Sequence, residues 1–297
     1  MFLTVALQTR GRPEKLALMM RSLVETAELP EKFEILLGVD ADDPSMVGFS
    51  LPGVKYRTLI LEPGLGAGRR MNRLAAESSG QYIFFLNDDV ESRTHGWDTI
   101  MRDAIEGGSD GIQLIHVNDG VLGAQLCIYP CFSRELLEVI GDPLPTPYRR
   151  WWADDHIHNI FYLLEQLGFS RIRYLPEVVF ENEFGRALRG EAVALTQYSE
   201  SFVADTLGDK HLFVESFDHR CSCALSLACH LSKDSTSEEI MMWKRRLSNL
   251  PCFPRQTIYF KWRRKWYRRL LWPIIRGQRH RFFGRRRRFN LLDEVKR

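Results

Sequence analysis

Two rhythms of apolar residues alternate along the chain. Residues 2–8 (FLTVALQ) read as a short strand that ends in the polar stretch Thr9-Arg10-Gly11-Arg12-Pro13. Leu16, Met19, Met20, Leu23 and Val24 then recur at helical spacing, which predicts a helix. Residues 33–39 (FEILLGV) predict a second strand running into a cluster of acids and Pro44, and residues 54–61 predict a third. A glycine-rich turn, Gly64-Leu65-Gly66-Ala67-Gly68, leads to a helix through Met71, Leu74 and Ala75. Residues 81–86 (QYIFFL) make the most apolar strand, and it stops at Asn87-Asp88-Asp89.

The pattern continues with a helix over 99–106, strands near 111–116 and 124–129, and a helix over 134–140. A proline-rich loop, 141–147, precedes Trp151-Trp152-Ala153-Asp154-Asp155. Next comes a helix with Ile157, Ile160, Phe161 and Leu164 on one face, then a strand over 171–180. Residues from about 190 to 250 read as mostly helical. Strands and helices alternating at this pace predict an α/β fold, a mostly parallel, doubly wound sheet, whose ligands lie at the C-terminal ends of its strands. The expected organisation is an α/β domain over 1–205, a mainly helical extension over 206–254 and a tail over 255–297.

Composition narrows the class. With 297 residues and 44% hydrophobic side chains the chain can bury a core, so disorder is excluded as its main state. No apolar run approaches the ~20 residues of a membrane span. The MFLTVAL start lacks a basic flank and a cleavage site, so the expectation is neither a membrane-spanning nor a secreted chain. Cys127, Cys131, Cys221, Cys223, Cys229 and Cys252 contain no CxxC pair, which fits reduced thiols in a cytosolic protein and no zinc site.

Charge is unevenly spread. Residues 255–297 hold 16 Lys and Arg against Asp293 and Glu294, a net of +14, which leaves −11 on residues 1–254 of a chain whose total is +3. Tyr259, Trp262, Trp266 and Leu270 would share one stripe of a helix flanked by Lys261, Arg263, Arg264, Lys265, Arg268 and Arg269, and Arg285 to Arg288 follow. That pattern suits an in-plane segment on an anionic membrane surface. Nucleic acid is the rival partner, and the acidic body disfavours a polyanion.

Acids cluster where a parallel sheet builds its site: Asp40 and Asp42, Asp88 and Asp89, Asp154 and Asp155, Glu181 and Glu183. A hard cation such as Mg2+ or Mn2+ takes oxygen ligands, often one or two carboxylates plus substrate phosphates. Asp88-Asp89, after so apolar a strand, suits that task. The competing reading is a solvated turn.

Taken in order, TVALQTRGRP, GVDADDP, GAGRRMNRLAAESSGQYIFFLNDDV, GWD and RRWWADDHI resemble the GT-A fold glycosyltransferases, and most closely family 2, over about residues 2–185. The resemblance implies that Thr9, Arg10, Arg12, Asp40 and Asp42 hold the nucleotide. It makes Asp89 a ligand of the cation that bridges the diphosphate, with Asp88 as a second ligand or a ribose contact, and Asn87 and Asn72 alongside. Arg69 and Arg70 would face the diphosphate or the sugar, unless they are merely solvated. Asp154 or Asp155 would be the base of an inverting transfer, with Trp151 and Trp152 as stacking surfaces for the acceptor sugar. Capping of the following helix competes for Asp154. Related enzymes often carry a histidine ligand where this chain has Asn182 and Glu183, so those oxygens, or His156, His158 or His211, are the substitutes to look for.

The implied activity is transfer of a sugar from a nucleotide-diphosphate-sugar donor to a glycan or lipid-linked acceptor, at the cytoplasmic face of a membrane. A non-catalytic sugar-nucleotide or glycan-binding module and a nucleotidyltransferase are the alternatives.

Overall fold

In a computed structural model the chain divides into two units, Met1–Cys252 and Phe253–Arg297. The structure describes residues 2–108, 111–150, 152–188 and 200–252. The basic tail and Trp151 therefore lie outside the described residues.

The elements run β1 (Leu3–Thr9), α1 (Pro13–Thr26), β2 (Phe33–Asp40), a short α2 (Pro44–Val47), β3 (Arg57–Leu61), α3 (Ala67–Glu77), β4 (Tyr82–Asn87), β5 (Val90–Ser92), α4 (Trp97–Glu106), β6 (Leu114–Asn118), β7 (Pro130–Ser133), α5 (Arg134–Ile140), α6 (Ala153–Gln166), β8 (Ile172–Asn182), α7 (Glu183–Leu188), α8 (Glu200–Glu215), α9 (Phe217–Ser232) and α10 (Ser237–Ser248). Eight strands form a sheet in the order β3-β2-β1-β4-β7-β6-β8-β5. It is parallel from β3 through β4. Beyond β4 it becomes mixed: β7 runs antiparallel to β4 and β6, β6 and β8 are parallel, and β5 pairs antiparallel with the end of β8.

Helices cover both faces, which is why the strands are apolar almost throughout. Leu3, Val5 and Leu7 of β1, with Ile35 and Leu37 of β2 and Phe84 of β4, pack among Met19, Met20, Trp97 and Met101 of α1 and α4. The alternate residues Ala6, Leu36, Ile83 and Phe85 pack among Leu74, Ile157, Ile160, Leu227 and Trp243 of α3, α6, α9 and α10. The Gly-Trp-Asp segment joins the first layer together. The fully buried Trp97 donates its Nε1–H to the Leu23 carbonyl at 3.0 Å, and Asp98 accepts from the backbone N–H groups of Glu28 and Leu29.

The strand expected over 124–129 falls instead on Pro130–Ser133. Leu126, Cys127 and Tyr129 are buried all the same, in irregular backbone, and the Cys127 N–H donates to His158 Nδ1 at 2.9 Å rather than to a neighbouring strand. Apolar content there reported burial and not extension. The helical C-terminal part continues the second core: α8 runs through residue 205, and α9 and α10 bury Leu227 and Trp243 against α6. Arg220 of α9, fully buried, ties this layer together. It donates to Asn159 Oδ1 at 2.6 Å, to the Phe213 carbonyl and to Ser216 Oγ at 3.0 Å, and its guanidinium lies 3.8 Å from the centre of the Phe213 ring. Burial lowers its pKa to about 10, so it stays charged at neutral pH.

Candidate active site

Register brings the first acids together. Gln8 of β1 lies opposite Gly38 of β2 and Asn87 of β4, so the three strands end level and discharge Arg10, Asp40 and Asp88 at one edge. Gly11, at φ +64, turns the chain away after Arg10, and its N–H donates to Asp43 Oδ2 at 2.6 Å. Arg12 then sits at the start of α1, with Pro13 as the first helical residue.

Asp40 is fully buried between two guanidinium groups. Arg10 Nη1 is 2.6 Å from its Oδ2, and Arg70 contacts both oxygens at 2.7 Å. Arg10 also grips the exposed Asp42 at 2.6 and 3.0 Å, and this hydrogen bonding holds the Asp42 carboxyl below the usual carboxylate range. Asp40 therefore orders two cations at the cleft edge, and Arg70 is ordered with it. Arg69, one residue earlier on α3, is exposed.

Asp88 and Asp89 follow β4 in the turn to β5. The Asp88 side chain is 1% exposed and lies 2.5 Å from Arg12 Nη2; Asp89 Oδ2 is 3.9 Å from Arg12 Nη1. Burial pushes the Asp88 carboxyl up to about 6, against the pull of Arg12 and Thr9 and with Asp89 adding to the rise. Burial also raises Asp89, with Glu183 adding and Arg12 and Lys15 opposing. Asn87 points outward and is exposed. Pairing of Val90 with Asn182 brings the end of β8 alongside, and Glu183 accepts from Lys15 Nζ at 2.7 Å.

A divalent cation fits this donor set. Asp88 Oδ2 and Asp89 Oδ1 are buried without a hydrogen bond, Asp88 Oδ1 is paired with Arg12, and all are hard oxygen donors. Among the described residues no three His, Cys, Asp or Glu side chains converge as a complete cage. Such a site leaves coordination positions to phosphates. The histidines considered as substitutes are engaged elsewhere: His156 lies between Tyr148 (3.0 Å) and His219 (3.2 Å), His158 accepts from Cys127, and His211 is exposed on α8.

The glycine-rich turn serves a second wall. A Cβ on Gly66 would stand 2.3 Å from the Tyr148 carbonyl oxygen, and one on Gly68 2.6 Å from that of Pro145. With no side chains there, the N–H groups of Ala67 and Gly68 donate to Arg149 and Tyr148. Asn72 donates to the Leu144 carbonyl at 2.8 Å, so it fastens the proline-rich loop to α3. From the other side the buried Asp209 of α8 accepts from the Arg149 and Arg150 N–H groups at 2.9 and 2.8 Å.

That loop delivers Trp152 to the start of α6 in a left-handed conformation, φ +71, which only a position fixed by its surroundings sustains. Its indole is buried and packs on Phe213 with ring centres 5.2 Å apart, so it presents little ring face to a sugar. Asp154 and Asp155 occupy the first turn of α6, Asp154 half-buried and Asp155 buried. Tyr129, which sequence reasoning passed over, sits among the acids. Burial drives its hydroxyl pKa well up, Asp89, Asp119 and Asp154 add to the rise, and Asn182 is alongside. Asp119 was also missed. It is buried after β6, where its Oδ1 accepts from the N–H groups of Leu122 and Gly123 at 2.9 and 2.8 Å.

No protein-family profile matches the chain, and no curated protein matches it. Solved structures do. The crystal structure of TarS from S. aureus superposes with a TM-score of 0.50 at 12% identity, over 75% of this chain and 42% of TarS. The chain thus spans less than half the length of that protein. The mannosyltransferase PcManGT from Pyrobaculum calidifontis, in complex with GDP-Man and Mn2+, gives 0.48 at 13% identity over 95% of this chain and 88% of its own. Glucosyl-3-phosphoglycerate synthase from Mycobacterium tuberculosis gives 0.45 at 14% identity over 74% and 78%. At such identities the likeness speaks of architecture, and the architecture of this chain is the GT-A fold of glycosyltransferases.

Proposed function

We propose that the chain is a glycosyltransferase that moves a sugar from a nucleotide-diphosphate-sugar donor to an acceptor hydroxyl with inversion, using Mg2+ or Mn2+. The observation that carries this reading is the buried pair Asp88 and Asp89 at the end of β4. Its carboxylates lie beside Arg12 at the sheet edge where Asp40 orders Arg10 and Arg70, and Asp88 Oδ2 and Asp89 Oδ1 have no hydrogen bond. Asp89 and Asp88 would hold the cation, with Asn182 or Glu183 as neighbouring oxygen donors, and the bound ion would offset charge on the departing diphosphate. Arg10, ordered by Asp40 and Asp42, and Arg12, at the start of α1, orient the nucleotide through fork-shaped donors that suit phosphate oxygens. Thr9, the buried last residue of β1, and the exposed Arg69 of α3 are the further donor contacts we propose.

Asp154 is the proposed base. Its half-buried carboxylate opens α6 directly after the loop that packs on Gly66 and Gly68, which supports its serving the acceptor side. It takes the proton of the acceptor hydroxyl while that oxygen bonds to the anomeric carbon, and the bond from that carbon to the diphosphate breaks on the opposite side. Asp155, deeper and close to Tyr148, His158 and Arg220, positions the helix start. The acceptor we propose is a glycan or lipid-linked saccharide at an anionic membrane surface, reached through the basic residues 255–297. No helix among the described residues is long and apolar enough to cross a membrane.

Slow donor hydrolysis tests the reading. Purified chain with Mn2+ and a panel of nucleotide sugars should release nucleoside diphosphate from one of them, and Asp89→Ala should lower that rate at least ~100-fold. Pyrophosphate released from a nucleoside triphosphate plus a sugar 1-phosphate, with no nucleoside diphosphate released from the nucleotide sugars, would indicate a nucleotidyltransferase. Donor binding with equally little release by both proteins would indicate a binding module.

A further inference from the structure

The carboxylates around the proposed diphosphate site already carry cations of the chain's own. Arg12 Nη2 lies 2.5 Å from Asp88 Oδ1, and its Nη1 lies 3.9 Å from Asp89 Oδ2. Lys15, three residues on and so on the same side of the helix start, lies 2.7 Å from Glu183 Oε2. The acids are the deep partners and the bases the shallow ones: the side chains of Asp88 and Glu183 are 1% and 17% exposed, those of Arg12 and Lys15 36% and 31%. A buried carboxylate needs a counter-charge when it ionises, and here Arg12 supplies it. A divalent ion on the same oxygens would stand within a few ångströms of the guanidinium, where like charges repel strongly in a poorly solvated site. That repulsion opposes both cations sitting on Asp88 at once.

We propose, resting on the glycosyltransferase reading, that Arg12 is a displaceable counter-cation. A divalent ion entering on Asp88 and Asp89 expels the guanidinium to the cleft mouth, where it binds phosphate oxygens of the donor, and Lys15 leaves Glu183 in the same way. Metal alone then binds weakly, because it must break the Arg12–Asp88 pair without return. Metal and diphosphate together bind with positive coupling, because the expelled cation finds new acceptors.

The test uses the full chain and Mn2+ alone, with free Mn2+ followed by electron paramagnetic resonance. Arg12→Gln should bind Mn2+ about tenfold more tightly than the unaltered chain, a change of about 1.4 kcal/mol. Lys15→Met should shift affinity the same way by a smaller factor. The Mn2+–pyrophosphate complex should show the reverse order, with Arg12→Gln weaker by about tenfold. Equal or weaker Mn2+ binding by Arg12→Gln overturns the proposal. If that variant does not fold, equal or weaker binding by Lys15→Met overturns it. Asp89→Ala separates the two levels of argument. Mn2+ binding that Asp89→Ala abolishes, with no tightening in Arg12→Gln, removes only this inference. Mn2+ binding that ignores Asp89→Ala, or no binding at all, removes the metal site of the proposed function as well.

Discussion

Asp88 sits where its charge is disfavoured. Its carboxyl titrates near 6 in the folded chain against 3.8 for an unburied aspartate, because burial outweighs Arg12. Between those values the folded state keeps a proton that the unfolded state has lost. Stability without metal therefore falls as pH rises through that window, by up to about 3 kcal/mol at pH 7. Asp88→Asn removes the penalty. Thermal unfolding without metal should show this variant melting higher than the unaltered chain at pH 7, with the gap closing toward pH 4; a lower melting point at pH 7 would contradict it. The two acids were legible from sequence because an apolar strand ending in Asn-Asp-Asp leaves few other places for its carboxylates. Asp40, Arg10 and Arg12 came into view through the family resemblance, which points to the ends of the first two strands. Their pairing was not legible, since no local pattern says that Arg10 and Arg70 clasp one carboxylate. Tyr129 and Asp209 escaped notice because their partners are distant in sequence, and Asp119 because a lone acid that caps its own loop has no signature in the chain. The resemblance made Trp152 a stacking surface, yet Phe213, sixty-one positions later, packs on it.

Among the elements, α3 shows how a glycine pattern becomes a wall of the site. Gly66 and Gly68 read in sequence as a turn, and the structure gives them the further task of admitting the 145–149 backbone. Gly66→Ala would put a methyl carbon 2.3 Å from a carbonyl oxygen that cannot move without dragging Trp152 and the start of α6. We expect a loss of about 1–3 kcal/mol in chemical denaturation and a larger loss of donor hydrolysis. An unchanged denaturation midpoint with full activity would contradict the role of that close approach. Long elements with a clear period, such as α1, β4 and α6, were legible from the chain. The three-residue β5 has too few positions to show a period and exists through its pairing with β8. β7 was displaced because burial and strand share the same apolar signal until hydrogen-bond partners are known.

At the scale of the molecule, an acidic body of net −11 precedes a tail of net +14. The charge asymmetry was legible, while the sharing of one core by α6, α9 and α10 was not, because the weakly patterned helices after residue 190 gave no hint of where they pack. The basic tail is proposed to seat the enzyme on anionic lipid. Sedimentation with phosphatidylserine-containing vesicles at low salt should recover the full chain and leave the chain ending at Pro254 in solution, with binding lost as salt rises. Equal recovery of both would remove the tail from the account. The central claim is local to the end of β4, and a crystal grown with Mn2+ and a nucleoside diphosphate tests it most directly. The account predicts the ion at roughly 2.1–2.2 Å from an Asp89 oxygen, the diphosphate against it and Arg12 moved from Asp88 to phosphate. A nucleotide bound elsewhere, or bound with Asp88 and Asp89 touching neither ion nor phosphate, would contradict it.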